Sequence, residues 1–227
     1  MNEGVLNYIF TKKFTCPVCE KEFNDVEVRR SKLRTQSVQT DFRTIYKDFE
    51  PTHYDVKQCT HCGYASMSAY FDKITERQKE MIRKNITPSF VSKEPTPPYD
   101  LDTVVERYDQ ALKCVDVISG KTSQKALTAL KLAWVYRANG SNDALEKHYL
   151  RMAFTGLKQA YSTENFPLGN MDESTAKYVI ADLARRSGDF GEALRWVSDV
   201  IVARGIPGSL KERAVDLKEL IQAKQTN

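Results

Sequence analysis

Two rhythms of apolar and polar residues run along this chain, and the change between them divides it. Near the N-terminus Val26 and Val28 alternate with Glu27 and Arg29, and Tyr54 and Val56 alternate with Asp55 and Lys57. A period of two is that of a half-buried strand. From about Asp72 the spacing lengthens: Ile74, Met81, Ile82 and Ile86 share one face of a helix whose other positions are charged or polar. Asp72 or Thr75 supplies its cap. Ser92–Tyr99 then carries three prolines, which forbid a continuous helix.

Beyond Asp100 the helical period persists. It predicts helices over 101–118, 123–138, 143–161, 173–187, 190–204 and 209–224, with breaks at Gly120, Asn139-Gly140, Phe166–Asn170, Gly188-Asp189 and Gly205–Gly208. Short turns between them predict antiparallel neighbours, as a bundle or a solenoid of helical hairpins. Repetition favours the solenoid. Ile180, Ala181, Ala184, Gly188, Phe190, Ala193, Val197 and Val200 match the small and apolar positions of a tetratricopeptide repeat. Leu132, Ala133, Tyr136, Gly140, Leu145, Tyr149 and Met152 form a looser copy, and Tyr108 with Ala111 resembles part of a third. Their spacing exceeds the usual ~34 residues, and Ser162–Asn170 accounts for part of the excess.

The expected fold is therefore mostly α, with a small β module. Residues 1–71 form a zinc-ribbon-like module, 72–99 a connecting helix and Pro-rich linker, and 100–227 a domain of tetratricopeptide-like hairpins forming an α-α superhelix. Ser31–Pro51, between the two strand signals, is longer than a hairpin needs, so an ordered loop or subsidiary structure is expected there.

Chemistry concentrates in two knuckles, Cys16-Pro17-Val18-Cys19 and Cys59-Thr60-His61-Cys62-Gly63, which hold four of the five cysteines. Two Cys-x-x-Cys pairs supply the four soft ligands of a closed, structural zinc site. A redox dithiol would need one pair, at a helix N-terminus after a strand. Disulfides are disfavoured in a reducing compartment. His61, inside the second knuckle, and His53, just before it, are alternative ligands, although Cys16, Cys19, Cys59 and Cys62 already fill the shell. Cys114, on the helix from 101, reads as a small core residue.

Two further clusters have a functional and a plain reading. Arg29, Arg30, Lys32 and Arg34 make a nucleic-acid or acidic-partner contact, or else a solvated strand face partly neutralised by Glu20, Glu22, Asp25 and Glu27. No aromatic is interleaved with them in the sequence, as a stacking platform would require. Trp134, Tyr136 and Arg137 form an exposed hot spot on a repeat surface for a protein partner, or else Trp134 is inter-repeat core.

Charge changes little. The 34 basic and 30 acidic residues leave a formal +4, a mixed surface rather than a single-sign field. The stretch Met1–Phe10 lacks the basic and long apolar regions of a secretory signal. No apolar run approaches the ~20 residues of a membrane span, so a cytoplasmic location is expected. No Gly-rich phosphate loop, nucleophile elbow or His-Glu-x-x-His occurs, and the expectation is no enzymatic activity.

Cys-Pro-Val-Cys with Phe23, the run from Tyr54 through Cys59 and Cys62 to Ala65, Ala133-Trp134-x-Tyr136-Arg137, and Leu183–Asp189 together resemble an uncharacterised bacterial family, catalogued as domain of unknown function twenty-two twenty-five. The resemblance spans nearly the whole chain. It implies a zinc ribbon joined to tetratricopeptide-like helices in a bacterial cytoplasmic protein, and it brings no activity. The leading expectation is a non-enzymatic scaffold or adaptor with structural Zn2+ and a protein partner on its helical repeats. The alternative is a nucleic-acid-binding regulator using the ribbon and its basic strand.

Overall fold

A computed structural model describes residues 3–140 and 142–225. Met1 and Asn2 of the opening stretch, and the outer ends of the expected 1–71 and 100–227 spans, lie outside the described residues. Two compact units divide the chain: one comprises the residues up to Ser37 and Ile45–Lys121, the other Val38–Thr44 and the residues from Thr122 onward.

In the first unit a short helix α1 (Glu3–Leu6) leads into β1 (Ile9–Thr15), which pairs antiparallel with β2 (Glu22–Val28) from Ile9↔Val28 to Thr15↔Glu22. Strand β5 (Val56–Gln58) pairs likewise with β6 (Ala65–Met67), from Val56↔Met67 to Gln58↔Ala65. Each knuckle thus forms the turn of a hairpin. Strand β1 is absent from the sequence expectation, because Lys12 and Lys13 interrupt its aromatic and β-branched residues. Tyr54 does not extend β5 as its alternation predicts. Pro51–Tyr54 is a 3-10 turn whose first amide hydrogen-bond donor, Thr52 N, is met by the Glu50 carboxylate at 3.2 Å, and Tyr54 turns into the core.

Helix α2 (Glu76–Asn85) starts at Thr75 in a reciprocal capping box with Gln78 and buries Ile82, with Ile86 buried at its C-cap. Helix α3 (Leu101–Val117) is capped by Asp100, whose carboxylate accepts from Thr103 N at 2.8 Å. The sequence boundary at 99/100 falls elsewhere in the structure, because α3 packs on β5 and β6 and belongs to the first unit. A buried pair explains why. Arg107 Nη2 donates to Asp25 Oδ2 at 2.6 Å and to the Val56 carbonyl at 2.7 Å. Asp25 also accepts from Gln58 N, Val26 N and the Tyr99 hydroxyl. A buried charge needs such complete partnering. One carboxylate thereby gathers β2, β5, the Pro-rich stretch at Tyr99 and α3. Ser92–Tyr99 is accordingly a strap on this unit, with Tyr99 buried, rather than a spacer between modules.

The second unit holds α4 (Thr122–Asn139), α5 (Asp143–Thr163), α6 (Glu173–Arg186), α7 (Phe190–Val202) and α8 (Gly208–Gln225), each packed on the next in chain order. Asn142, Asp172 and Asp189 cap α5, α6 and α7 through their side chains. Gly156 of α5 lies so close to Ala126 of α4 that a Cβ there would stand 2.8 Å from the alanine methyl. Ile180, Ala181, Ala184, Ala193, Val197 and Val200 are fully buried, while Gly188 is exposed and Phe190 half-buried. Within Ser162–Asn170, Leu168 is buried against Ala160 and Ala176, and Glu164 accepts from Ser123 N and Oγ at the start of α4.

The Ser31–Pro51 stretch resolves into β3 (Thr35–Val38) and β4 (Thr44–Tyr46), paired as a hairpin. Its tip, Val38–Thr44, belongs to the helical unit.

Candidate metal centre

The two knuckles repeat one backbone geometry. Cys16 N donates to the Lys21 carbonyl and Glu20 N to the Cys16 carbonyl; Cys59 N donates to the Tyr64 carbonyl and Gly63 N to the Cys59 carbonyl. The residue after each second cysteine is left-handed, Glu20 at φ 61° and Gly63 at φ 75°. Glycine is required only in the second, where the Phe90 ring occupies the space a Cβ would take. Val18 N and His61 N each lie 3.4 Å from Cys16 Sγ and Cys59 Sγ respectively, positioned to donate to them.

Cys16, Cys19, Cys59 and Cys62 bring their sulfurs within 4.8 Å of one another. Cys16 Sγ lies 3.6 Å from Cys62 Sγ, and Cys19 Sγ 3.7 Å from Cys59 Sγ. A tetrahedron with metal–sulfur bonds of about 2.3 Å has edges of about 3.8 Å. The four cysteines are therefore positioned to hold one metal ion. Three are buried and Cys19 is half-buried.

Electrostatics points the same way. Hydrogen bonds from Cys16 and then Cys62 pull the Cys59 pKa down, while Cys16 is pushed up to about 12, first by its bond to Cys59 and then by burial. Cys62 is pushed up as well, led by its bond to Cys16. Four thiolates gathered this closely repel one another, and holding all four ionised calls for a cation among them. Around it, Arg83 donates to the Val18 carbonyl through Nε and Nη2, Thr87 Oγ1 to the Cys62 carbonyl, and Gln110 Nε2 to the Gly63 carbonyl. Helices α2 and α3 thus fix both knuckles from outside.

Residues 9–221 match the family described as an uncharacterized protein conserved in bacteria (DUF2225). The chain belongs to this family. Comparison with curated proteins finds no match, and comparison with solved structures finds none. Both knuckles of this DUF2225 chain fall inside the matched span.

Neither His53 nor His61 belongs to the sulfur cluster. His61 is exposed with Nε2 2.8 Å from the Glu22 carbonyl oxygen, and His53 packs beside Tyr54. Cys114 is buried on α3, accepting from Ala65 N at 3.4 Å, and burial pushes its thiol up to about 11. Arg29, Arg30, Lys32 and Arg34 are exposed. Folding supplies the aromatic that their sequence lacks, since the Arg29 guanidinium stacks over Phe10 at 4.8 Å. Lys32 and Arg34 border an open cleft of about 900 Å3 with Tyr8 and Asp48. Arg34 spends its Nη1 on the Ser31 and Leu33 carbonyls.

Trp134 and Tyr136 are buried, at 7% exposure each, rather than exposed. Tyr136 stacks on Tyr149 at 5.7 Å. Trp134 Nε1 donates to Asp41 Oδ2 at 2.9 Å, and Arg137 donates to the same oxygen at 2.7 Å and to Glu146 at 2.6 Å. Sequence reasoning missed the residues these serve: Gln39, Thr40, Asp41 and Phe42 at the hairpin tip. Gln39 Oε1 accepts from Arg137, Thr40 Oγ1 donates to Asp182 and accepts from Arg186, and the Phe42 ring lies 5.1 Å from Tyr178 with Arg213 over it. The available signal was the run Thr40-Asp41-Phe42-Arg43 in a stretch too long for its turn.

No helix among the described residues is long and apolar enough to cross a membrane.

Proposed function

We propose that this protein is a non-enzymatic adaptor: a structural Zn2+ holds the ribbon-like module, and the helical unit binds a segment of a protein partner. Zinc is the metal that best suits four thiolates at tetrahedral spacing with no position left for water or substrate. A closed shell stabilises the fold and leaves no site for catalysis at the metal.

One observation carries the partner-binding reading. The helical unit already holds a short segment of its own chain, Gln39–Phe42, through Trp134 and Arg137 of α4, Tyr178, Asp182 and Arg186 of α6, and Arg213 of α8. These are alternate helices. In a stack of antiparallel hairpins, alternate helices share one face, the face on which solenoid repeats form extended binding surfaces. The tetratricopeptide-like pattern supports the same assignment.

Elemental analysis of the purified chain is expected to give about one zinc per chain, and capture from a bacterial lysate a stoichiometric protein partner that survives nuclease treatment. Absence of zinc, or capture of nucleic acid alone, would overturn it. The nucleic-acid alternative has the Arg29–Phe10 stack in its favour. It predicts salt-dependent binding that is lost when Arg29, Arg30, Lys32 and Arg34 are neutralised together.

A further inference from the structure

The groups that grip the hairpin tip form a site whose chemistry can be read side chain by side chain. Trp134 Nε1 and Arg137 Nη1 both donate to Asp41 Oδ2, and Arg186 Nε stands 3.6 Å from the same oxygen. Asp41 is fully enclosed, with no side-chain exposure. Beside it, Asp182 accepts from the Thr40 hydroxyl at 2.8 Å and is itself held by Arg185 and Arg186. One step on, Tyr178 and Arg213 make an aromatic and cationic seat for Phe42. The helices thus present, in order, a hydroxyl acceptor, a carboxylate clamp and an aromatic seat.

The occupant is held in a conformation that its own sequence resists. Phe42 has φ 61°, the left-handed position of its own hairpin turn, in which Phe42 N donates to the Gln39 carbonyl and Gln39 N to the Arg43 carbonyl, and a bulky side chain is unfavoured there. Strand β3, which leads into the tip, is exposed along its whole length, so nothing in that strand's packing demands the docking. Side chains tie the tip to a surface built on three helices. Charge and shape define that surface whether the carboxylate comes from residue 41 or from elsewhere.

We propose that the α4–α6–α8 surface is a recognition site for a hydroxyl–carboxylate–aromatic segment of a partner protein, and that Thr40-Asp41-Phe42 occupies it in cis until such a partner displaces it. The inference rests on the adaptor reading and names the chemistry of its partner. In this arrangement the hairpin tip lowers the apparent affinity of the site by the fraction of time it is docked.

The probe is a fluorescent peptide of residues Thr35–Tyr46, added to the full chain. The double variant Asp41→Ala/Phe42→Ala, which empties the site, is expected to bind it at least about tenfold more tightly than the unmodified chain. The peptide carrying the same Asp-to-Ala change is expected not to bind. An emptied chain that melts cooperatively yet does not bind the peptide overturns the proposal. Hydrogen exchange on the unmodified chain gives a reading that does not depend on the variant folding. The hydrogen-bonded amides of Gln39 and Phe42 should exchange faster than those in the middle of α4 and α6. Equal rates would mean that the tip leaves only on global unfolding and would also overturn it. A dimer of the unmodified chain that the double variant abolishes would assign the occupant to a second copy, against the cis assignment. If a captured protein partner binds while the peptide does not, the adaptor reading stands and this inference alone fails.

Discussion

Phe90 stands against the α-carbon of Gly63, filling the space in which any other residue would carry its Cβ. Glycine here is demanded twice, by the ring and by φ 75°. Gly63→Ala is therefore expected to cost about 2 kcal/mol or more, since left-handed backbone alone costs an L-residue roughly 1–2 kcal/mol and overpacking adds to it. Urea melts would measure this. Glu20→Gly, at the matching position of the first knuckle, is expected to be neutral or to stabilise by less than about 1 kcal/mol, because nothing crowds that exposed site.

The metal centre should respond as a fastening. Cys16→Ser or Cys62→Ser is expected to abolish stoichiometric zinc and to melt the first unit well before the helical one, giving two transitions by circular dichroism. Strong chelation of the unmodified chain should reproduce that pattern. A single unchanged transition with the metal gone would show that the cluster does not hold the fold.

Asp25 and Arg107 form a pair with side chains 2% and 5% exposed. Asp25→Ala should destabilise by about 3–5 kcal/mol, as removing one member of a buried pair leaves the other uncompensated. The double replacement Asp25→Ala/Arg107→Met should cost clearly less than the sum of the singles, and a thermodynamic cycle on urea melts checks this.

Acid should loosen the hairpin tip. Burial raises the Asp41 pKa, but the charges of Arg137 and Arg186 and the hydrogen bonds from Arg137 and Trp134 outweigh it, so the folded value lies below the ordinary one. A carboxylate depressed on folding contributes stability above its unfolded pKa of about 4, and loses it as pH falls through the folded value. Hydrogen exchange at Gln39 and Phe42, relative to α4, should therefore accelerate below about pH 4. Asp41→Asn should remove that dependence.

Trp134→Phe keeps an aromatic in the core but leaves Asp41 short of a donor. The expected loss is about 1.5–3 kcal/mol, the range for a hydrogen bond to a charged group, read from denaturant midpoints.

The six helices beyond residue 100 were legible from helical apolar spacing and the turn residues that separate them, although α4 is buried all round from Leu132 to Tyr136 rather than along one stripe. Cys16, Cys19, Cys59 and Cys62 were legible because metal ligands come in spaced pairs whose chemistry has few alternatives. Strand β1 was hidden by the lysines within it. The ownership of α3 was hidden because its stripe fits a helical neighbour as well as a sheet. Nothing local marks Arg107 as the partner of Asp25, 82 positions away.

The helices, their order and the four-sulfur set follow from the sequence alone, since periodicity, caps and ligand spacing are properties of neighbouring residues. Which helix joins which unit, the burial of Trp134, and the docking of Asp41 on α4 and α6 were decided only in three dimensions. The physical reason is desolvation. A carboxylate or guanidinium removed from water must find its counterpart wherever the chain brings one, and pairs such as Asp25–Arg107 and Asp41–Arg137 select among packings that hydrophobic pattern leaves equal.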